Sequence, residues 1–332
     1  MSRRAQLPAA LRAARLPMIG APLFIISTPD LVIAQCKAGV IGAFPALNAR
    51  EAPGEPVMLE AWLRRITEEL DRHNQAHPDH PAAPFAVNQI VHKTNARLER
   101  DVDICARWKV PVWITSLGAR EDVNAAAHAA GGIVLHDVIN DRFARKAIAK
   151  GADGLIAVAA GAGGHTGAQS PFALLHEIRA WFDGPVLLSG AIATGRALLA
   201  AQAAGADMGY VGTPFIATDE ANAQPGYKQM IVDSAADDVV ATAGVTGVTG
   251  NYLKGSLERA GVDAAALEQA RVSMSFGEDR ERPKAWKDIW GAGQGVGAID
   301  AVVPVADRIG RIAREYAEAQ ARMAGIIADW PV

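Results

Sequence analysis

The chain has 332 residues, half of them hydrophobic, and a formal net charge of -3. That is enough apolar material for one large core, and β/α barrels routinely exceed 200 residues as a single unit. The near-neutral balance, with no basic stretch interleaved with aromatics, argues against a nucleic-acid partner, and no apolar run approaches the length that spans a bilayer.

The opening "MSRRAQLPAALRAARL" is arginine-rich and lacks acids, as transit peptides do, yet has no apolar h-region, so secretion is disfavoured. It reads as a short amphipathic helix with Leu7, Leu11 and Ala14 on one face. Strand-like runs then follow in order: 17–22, 40–46, 85–91, 111–117, 132–138, 154–160, 185–191 and 208–215. Alanine-rich amphipathic stretches separate them, and two of these end in Gly-Ala-Asp, a helix-terminating glycine followed by re-entry into a strand. Continuous apolar strands alternating with helices imply parallel pairing. Eight such units fit a closed (β/α)8 TIM barrel better than an open sheet.

From residue 218 the alternation fails. Residues 218–280 are expected to form an appended helical lid, with 1–217 and 281–332 forming the barrel. The last segment carries the glycine-rich "WGAGQG" and a long final helix. Cys36 and Cys105 have no CxxC or histidine-rich company and read as buried free thiols in a reducing compartment, so a cytoplasmic location is expected. Oligomeric state is not legible.

In a barrel, function gathers where the strands end. The seventh run ends in Ser189, Gly190 and Ala191, the eighth in Val211, Gly212 and Thr213. Small residues there expose backbone N–H groups in the place where barrels commonly hold a phosphate. After the sixth run comes "GAGGHTG", with His165 behind Gly163 and Gly164. Its glycines would let a flat ligand lie close to the backbone, and a histidine beside a phosphate site is a candidate acid or base near neutral pH. Ala21, Pro22 and Leu23 end the first run, Asn88 and Gln89 the third, and His136 the fifth. Gln294 lies in the late glycine loop, placed to close over a ligand. Zinc-type ligand spacing, a G-x-G-x-x-G fingerprint and a G-x-S-x-G elbow are all absent, so no metal site is expected.

Together "AGGHTG", "SGA", "VGT" and "WGAGQG" resemble the nitronate monooxygenase family, formerly 2-nitropropane dioxygenases, which are FMN-bound TIM-barrel enzymes. The resemblance implies His165 as the catalytic base and the loops at Gly190, Ala191, Gly212 and Thr213 as the FMN phosphate site. It also implies flavin contacts at Ala21, Pro22 and Leu23 and near Asn88 and Gln89, and places on His136 a basic residue that sits near the flavin. Gly161 stands where many relatives carry glutamate, Ala191 where they carry a second glycine, and Leu23 where methionine is frequent. Ala191 keeps a backbone N–H for the phosphate. The implied reaction is oxidation of alkyl nitronates, and of neutral nitroalkanes, by O2 to carbonyl compounds. NAD(P)H-dependent reduction of a quinone or enoyl substrate is the alternative, and a non-catalytic flavin- or phosphate-binding protein a third.

Overall fold

The computed structural model describes residues 3–50, 57–262 and 287–329. The eight apolar runs become β1 (Met18–Gly20), β2 (Gly42–Pro45), β3 (Phe85–Ile90), β4 (Val112–Ser116), β5 (Ile133–Val138), β6 (Gly154–Val158), β8 (Val186–Ser189) and β9 (Met208–Val211). A second, small sheet is made of β7 (Gly164–His165), β10 (Val239–Thr242) and β11 (Gly250–Leu253).

The eight long-sheet strands pair in parallel in the order β1-β9-β8-β6-β5-β4-β3-β2. A bridge between Ile19 and Ile41 closes β1 on β2, with the Gly20 N–H donating to the Ile41 carbonyl at 2.8 Å. This is a TIM barrel. Side chains alternate across each strand. Ile114, Leu135, Ile156, Leu187 and Met208 fill the barrel interior. Trp113, Val134, Val138 and Val211 belong to the outer core under the helices.

The repeated Gly-Ala-Asp has a structural reason. Gly151 and Gly205 adopt φ of +88° and +113°, the left-handed turn that ends a helix. The aspartate two residues on then accepts a strand N–H: Asp153 from Val134 at 2.7 Å, Asp207 from Val186 at 2.8 Å. Asp207 also pairs with Arg3 at 2.6 Å and Arg179 at 2.7 Å, tying the N-terminal segment to the barrel.

That segment forms two single-turn helices, Arg3–Gln6 and Ala9–Arg12. Leu7, Leu11 and Ala14 are buried against the interior layer and close one end of the barrel. The helix Val305–Asp329 lies across the helix Gly195–Ala203, so closely that a Cβ on Gly195 would stand 2.1 Å from the Tyr316 backbone nitrogen.

The appended segment is mixed rather than purely helical. Beyond residue 218 come the helix Pro225–Asp233, the β10–β11 hairpin and the short helix Lys254–Arg259. Residues 263–280 of the expected lid, and the expected return to the barrel at 281, lie outside the described residues. No described helix is long and apolar enough to cross a membrane. Cys36 and Cys105 are buried and unpaired, and burial pushes the Cys36 thiol up to about 12.

Leu11 is 2% exposed at the plug of the barrel. Leu11→Ala should cost about 2–5 kcal/mol, as buried leucine truncations do. Chemical denaturation should show the lower midpoint while the visible spectrum of bound cofactor is unchanged.

Candidate active site

With the barrel interior packed, space opens only above it, at the C-terminal strand ends. A cavity of about 1810 Å³ lies there, lined by Ala21, Asn88, Asp137, His165, Gly190 and Thr213 among others. Typical ligand pockets measure about 300–1,000 Å³, so there is room for a cofactor and a second molecule. Of the expected site residues, Ala21, Pro22, Leu23, Asn88, His136, Gly163, Gly164, His165, Ser189, Gly190, Ala191, Gly212 and Thr213 all line it.

The loops after β8 and β9 fit an anion. Buried backbone N–H groups are almost always bonded, yet those of Gly190, Gly212 and Thr213 meet no acceptor among the described residues. Gly190 and Ala191 take φ of +144° and +53°. The second value is strained for an alanine. The Ala191 N–H does not serve an anion as expected, because it donates to the Gly161 carbonyl at 3.2 Å.

The glycine-rich loop after β6 is shaped by its neighbours. Gly161 has φ +86°, and its carbonyl also accepts the Gln294 N–H at 2.9 Å. A Cβ on Gly163 would stand 2.7 Å from the Gly293 nitrogen and 3.2 Å from Thr213 Oγ1. Gly163 is therefore required by contact between two loops, rather than by a flat ligand. The Gly293 N–H in turn donates to Thr213 Oγ1 at 2.9 Å. Behind it, Trp290 stacks on Tyr227 with ring centroids 4.8 Å apart, the Tyr227 hydroxyl donates to the Gly291 carbonyl at 2.5 Å, and the Trp290 N–H donates to Ser256 Oγ at 2.6 Å. These contacts fix the C-terminal glycine loop against the site.

His165 is not on a free loop. It belongs to β7, which pairs antiparallel with β11, Gly250 opposite His165 and Asn251 opposite Gly164. Asn251 Nδ2 donates to the Ala162 carbonyl at 2.7 Å, and the Thr166 N–H to the Thr249 carbonyl at 3.0 Å. The imidazole Nε2 lies 3.4 Å from Thr246 Oγ1 on the β10–β11 turn. Burial lowers its pKa below the ordinary imidazole value, so the ring is neutral at pH 7.

Three expected residues, Gln89, Val211 and Gln294, do not line the cavity, and His136 reaches it from the outer face of its strand. Gln89 turns outward, its Nε2 3.3 Å from Cys105 Sγ, and does not line the cavity. Val211 is packed in the outer core. Gln294 is exposed and outside the cavity lining; its N–H bonds the Gly161 carbonyl and its Oε1 lies 3.0 Å from where a Cβ on Gly161 would stand. His136 borders the cavity but stands on the outer face with Val134 and Val138, its Nδ1 2.6 Å from Thr115 Oγ1. Burial, aided by the nearby Lys146 charge, pushes it down to about 4, so it is not a cation beside the ligand.

The inward position at the end of β5 belongs to Asp137, the residue after His136. Ser116 Oγ donates to Asp137 Oδ2 at 2.5 Å, and Asn88 Nδ2 donates to Ser116 Oγ at 2.8 Å. Tyr210 on β9 lines the same space. Counting two residues on from the interior residues Ala86, Ile114, Leu135 and Met208 finds Asn88, Ser116, Asp137 and Tyr210.

The model of the nitronate monooxygenase family matches residues 9–315. The chain belongs to the nitronate monooxygenase family. It is 24% identical to a nitronate monooxygenase of Paraburkholderia phytofirmans, over 90% of this chain and 92% of that one. It is 29% identical to a (3aS,4S,5R,7aS)-5-hydroxy-7a-methyl-1-oxo-octahydro-1H-indene-4-carboxyl-CoA dehydrogenase of Rhodococcus jostii, over 78% of this chain and 70% of that one. Among solved structures, FabK of Thermotoga maritima superimposes with a TM-score of 0.74 at 27% identity, covering 96% of this chain and 97% of that one. A nitroalkane oxidase of Streptomyces ansochromogenes shares the fold with a TM-score of 0.75 at 23% identity, covering 95% and 100%. As a nitronate monooxygenase family member the protein is a flavin-dependent oxidoreductase, and the non-catalytic alternative drops out.

Gly163→Ala should force the two glycine loops apart, since the intruding atom meets backbone on the far side. The purified variant is expected to hold less flavin per chain than the wild type, measured by visible absorbance. Equal flavin content would show that the loop contact is dispensable.

Proposed function

We propose that the protein uses FMN to oxidise alkyl nitronates and neutral nitroalkanes with O2, giving carbonyl compounds. The unpartnered N–H groups of Gly190, Gly212 and Thr213 supply one anion site, which suits the single phosphate of a mononucleotide. Asn88 Nδ2 is occupied by Ser116 and the Ile114 carbonyl, so its amide oxygen is the group left to accept a ring N–H. When bound, the flavin supplies the electron acceptor for the substrate and the donor to oxygen.

The observation that carries this reading is a neutral imidazole fixed at the cavity wall. Proton removal from carbon needs a base that is unprotonated at working pH and held in one orientation. Burial provides the first for His165 and its strand pairing the second. Because the pKa is lowered, activity on a neutral nitroalkane should hold through neutral pH. It should fall only as the pH drops below the ordinary imidazole range near ~6.5.

His165→Asn should retain flavin and lose roughly 10²–10⁴-fold in turnover of a neutral nitroalkane, with a smaller loss for the preformed nitronate. Equal rates for both proteins on the nitroalkane would remove His165 from this role.

NAD(P)H-dependent reduction of a quinone or enoyl substrate is the second reading. It draws on the Rhodococcus relative named as a carboxyl-CoA dehydrogenase, on the size of the cavity, and on exposed Arg50, Lys146 and Lys287 along its lining. Anaerobic mixing separates the two. Bleaching by nitronate or nitroalkane and not by NADH or NADPH is expected for the oxygenase; rapid bleaching by a reduced nicotinamide gives the reductase.

A further inference from the structure

The turn between β10 and β11, residues 243–249, reaches the imidazole of His165 as well as the strand that carries it. Its shape is closely specified. Gly247 takes φ +82°, a value that favours glycine, and donates its N–H to the Ala243 carbonyl at 2.8 Å. The Gly244 N–H donates to Thr242 Oγ1 at 3.0 Å. The Thr249 carbonyl accepts the N–H of Thr166, the residue after the histidine, at 3.0 Å. Gly250 stands opposite His165 in the ladder, and a Cβ on it would lie 2.8 Å from Tyr252 Oη. That glycine leaves room for the Tyr252 hydroxyl to reach back to the turn. Thr246, half-buried at the cavity wall, is where these contacts converge.

A threonine hydroxyl has one proton to give and two lone pairs to receive. Three groups lie within reach of Thr246 Oγ1: the Val248 carbonyl at 3.1 Å, His165 Nε2 at 3.4 Å and Tyr252 Oη at 3.5 Å. The carbonyl can only accept, and it is the nearest of the three, so the threonine proton goes to Val248. What Thr246 Oγ1 offers its other two neighbours is acceptance, and each of them must donate. The Tyr252 phenol can, because burial raises its pKa and keeps it protonated. The neutral imidazole can in one tautomer only, with its proton on Nε2, and its basic lone pair is then on Nδ1. Donation from Thr246 to Nε2 would reverse this assignment, but it gives up a 3.1 Å bond for a 3.4 Å one. A distance of 3.4 Å is long for N–H···O, and hydrogen bonds of catalytic groups commonly shorten once substrate is bound.

We infer that Thr246 is a positioning residue for the reaction: it accepts a hydrogen bond from His165 Nε2 and thereby assigns proton removal from carbon to Nδ1. This rests on the reading of His165 as the base above and names the atom that takes the proton. In that step the proton of the substrate α-carbon passes to Nδ1. The C–H electron pair stays behind and spreads onto the nitro oxygens, giving the nitronate, and the imidazole becomes a cation with its Nε2–H still directed at Thr246. A charged donor makes a stronger hydrogen bond than a neutral one, so the Thr246 contact is worth more after the transfer than before it. A substrate supplied as the nitronate needs no such transfer, and Thr246 has no part in its oxidation.

Nuclear magnetic resonance of the holoenzyme with 15N-labelled histidine reads the tautomer directly, the His165 signals being those missing from His165→Asn. At pH 8, where burial leaves the ring neutral, the wild type should show a protonated Nε2 and an unprotonated Nδ1. Thr246→Val keeps the shape of the side chain and removes the acceptor. It should hold flavin, populate the second tautomer and lower kcat for a neutral nitroalkane by about three- to tenfold, the worth of one hydrogen bond, with the rate on the preformed nitronate unchanged. Thr246→Ser, which keeps the hydroxyl, should restore both the spectrum and the rate. A wild-type spectrum with the proton on Nδ1 would overturn the inference, and it decides the matter whether or not the valine variant holds flavin. So would a valine variant with unchanged tautomer and nitroalkane rate, or one that loses equally on both substrates. Protonation of Nε2 in a protein that oxidises no nitroalkane would instead overturn the reading of its reaction and leave the assignment of the ring standing.

Discussion

One carbonyl oxygen joins the parts of this site. That of Gly161 accepts the N–H of Ala191, from the loop after β8, and of Gln294, from the C-terminal glycine loop. Segments more than 100 residues apart in sequence are thereby held at main-chain distance, and Gly163 and Gly293 are small because the backbones touch there. The position of His165 follows, since its loop is pinned on one side by these bonds and on the other by β11. A site built on backbone contacts tolerates change in its outer walls, which is consistent with relatives in this family bearing differently named activities.

The barrel was legible because each stave is a separate apolar run and each connection ends in recognisable chemistry, such as Gly-Ala-Asp. The anion loops were legible for a similar reason: small residues at the ends of two neighbouring strands. The small sheet was not. "VVATAGVTGVTGNYL", which yields β10 and β11, has β-branched residues broken by glycines; β10 is mostly half-buried, and β11, though buried, is four residues long and starts with Gly-Asn. Each exists because it pairs with its neighbour and β11 with a two-residue strand at His165, a non-local fact with no signature inside either segment.

The assignments at Gln89 and Val211 missed the cavity for one reason: a strand of period two sends adjacent residues to opposite faces, and His136 reaches the cavity from that outer face. Choosing the right strand end but the wrong parity exchanges a ligand-facing side chain for a helix-facing one. Leu135 in the interior layer and Val134 and Val138 in the outer core settle the parity for β5. Composition also drew the eye there, because histidine is a switchable base, whereas the inward-facing side chain is the aspartate beside it. Ala191 failed differently. Its N–H is real, but the loop conformation commits it to Gly161.

His165 and Asp137 are displaced in opposite directions by a single cause. Burial lowers the imidazole and raises the carboxyl, in each case toward the uncharged form. The same desolvation acts on whatever enters the cavity, so charge carried there has to be met by protein dipoles rather than water. Only the rim is basic, and the β8 and β9 loops offer N–H groups to an anion without placing a cation beside it. Negative charge is thus received where the β8 and β9 loops end, with backbone dipoles in place of water, while His165 and Asp137 are both held toward their uncharged forms.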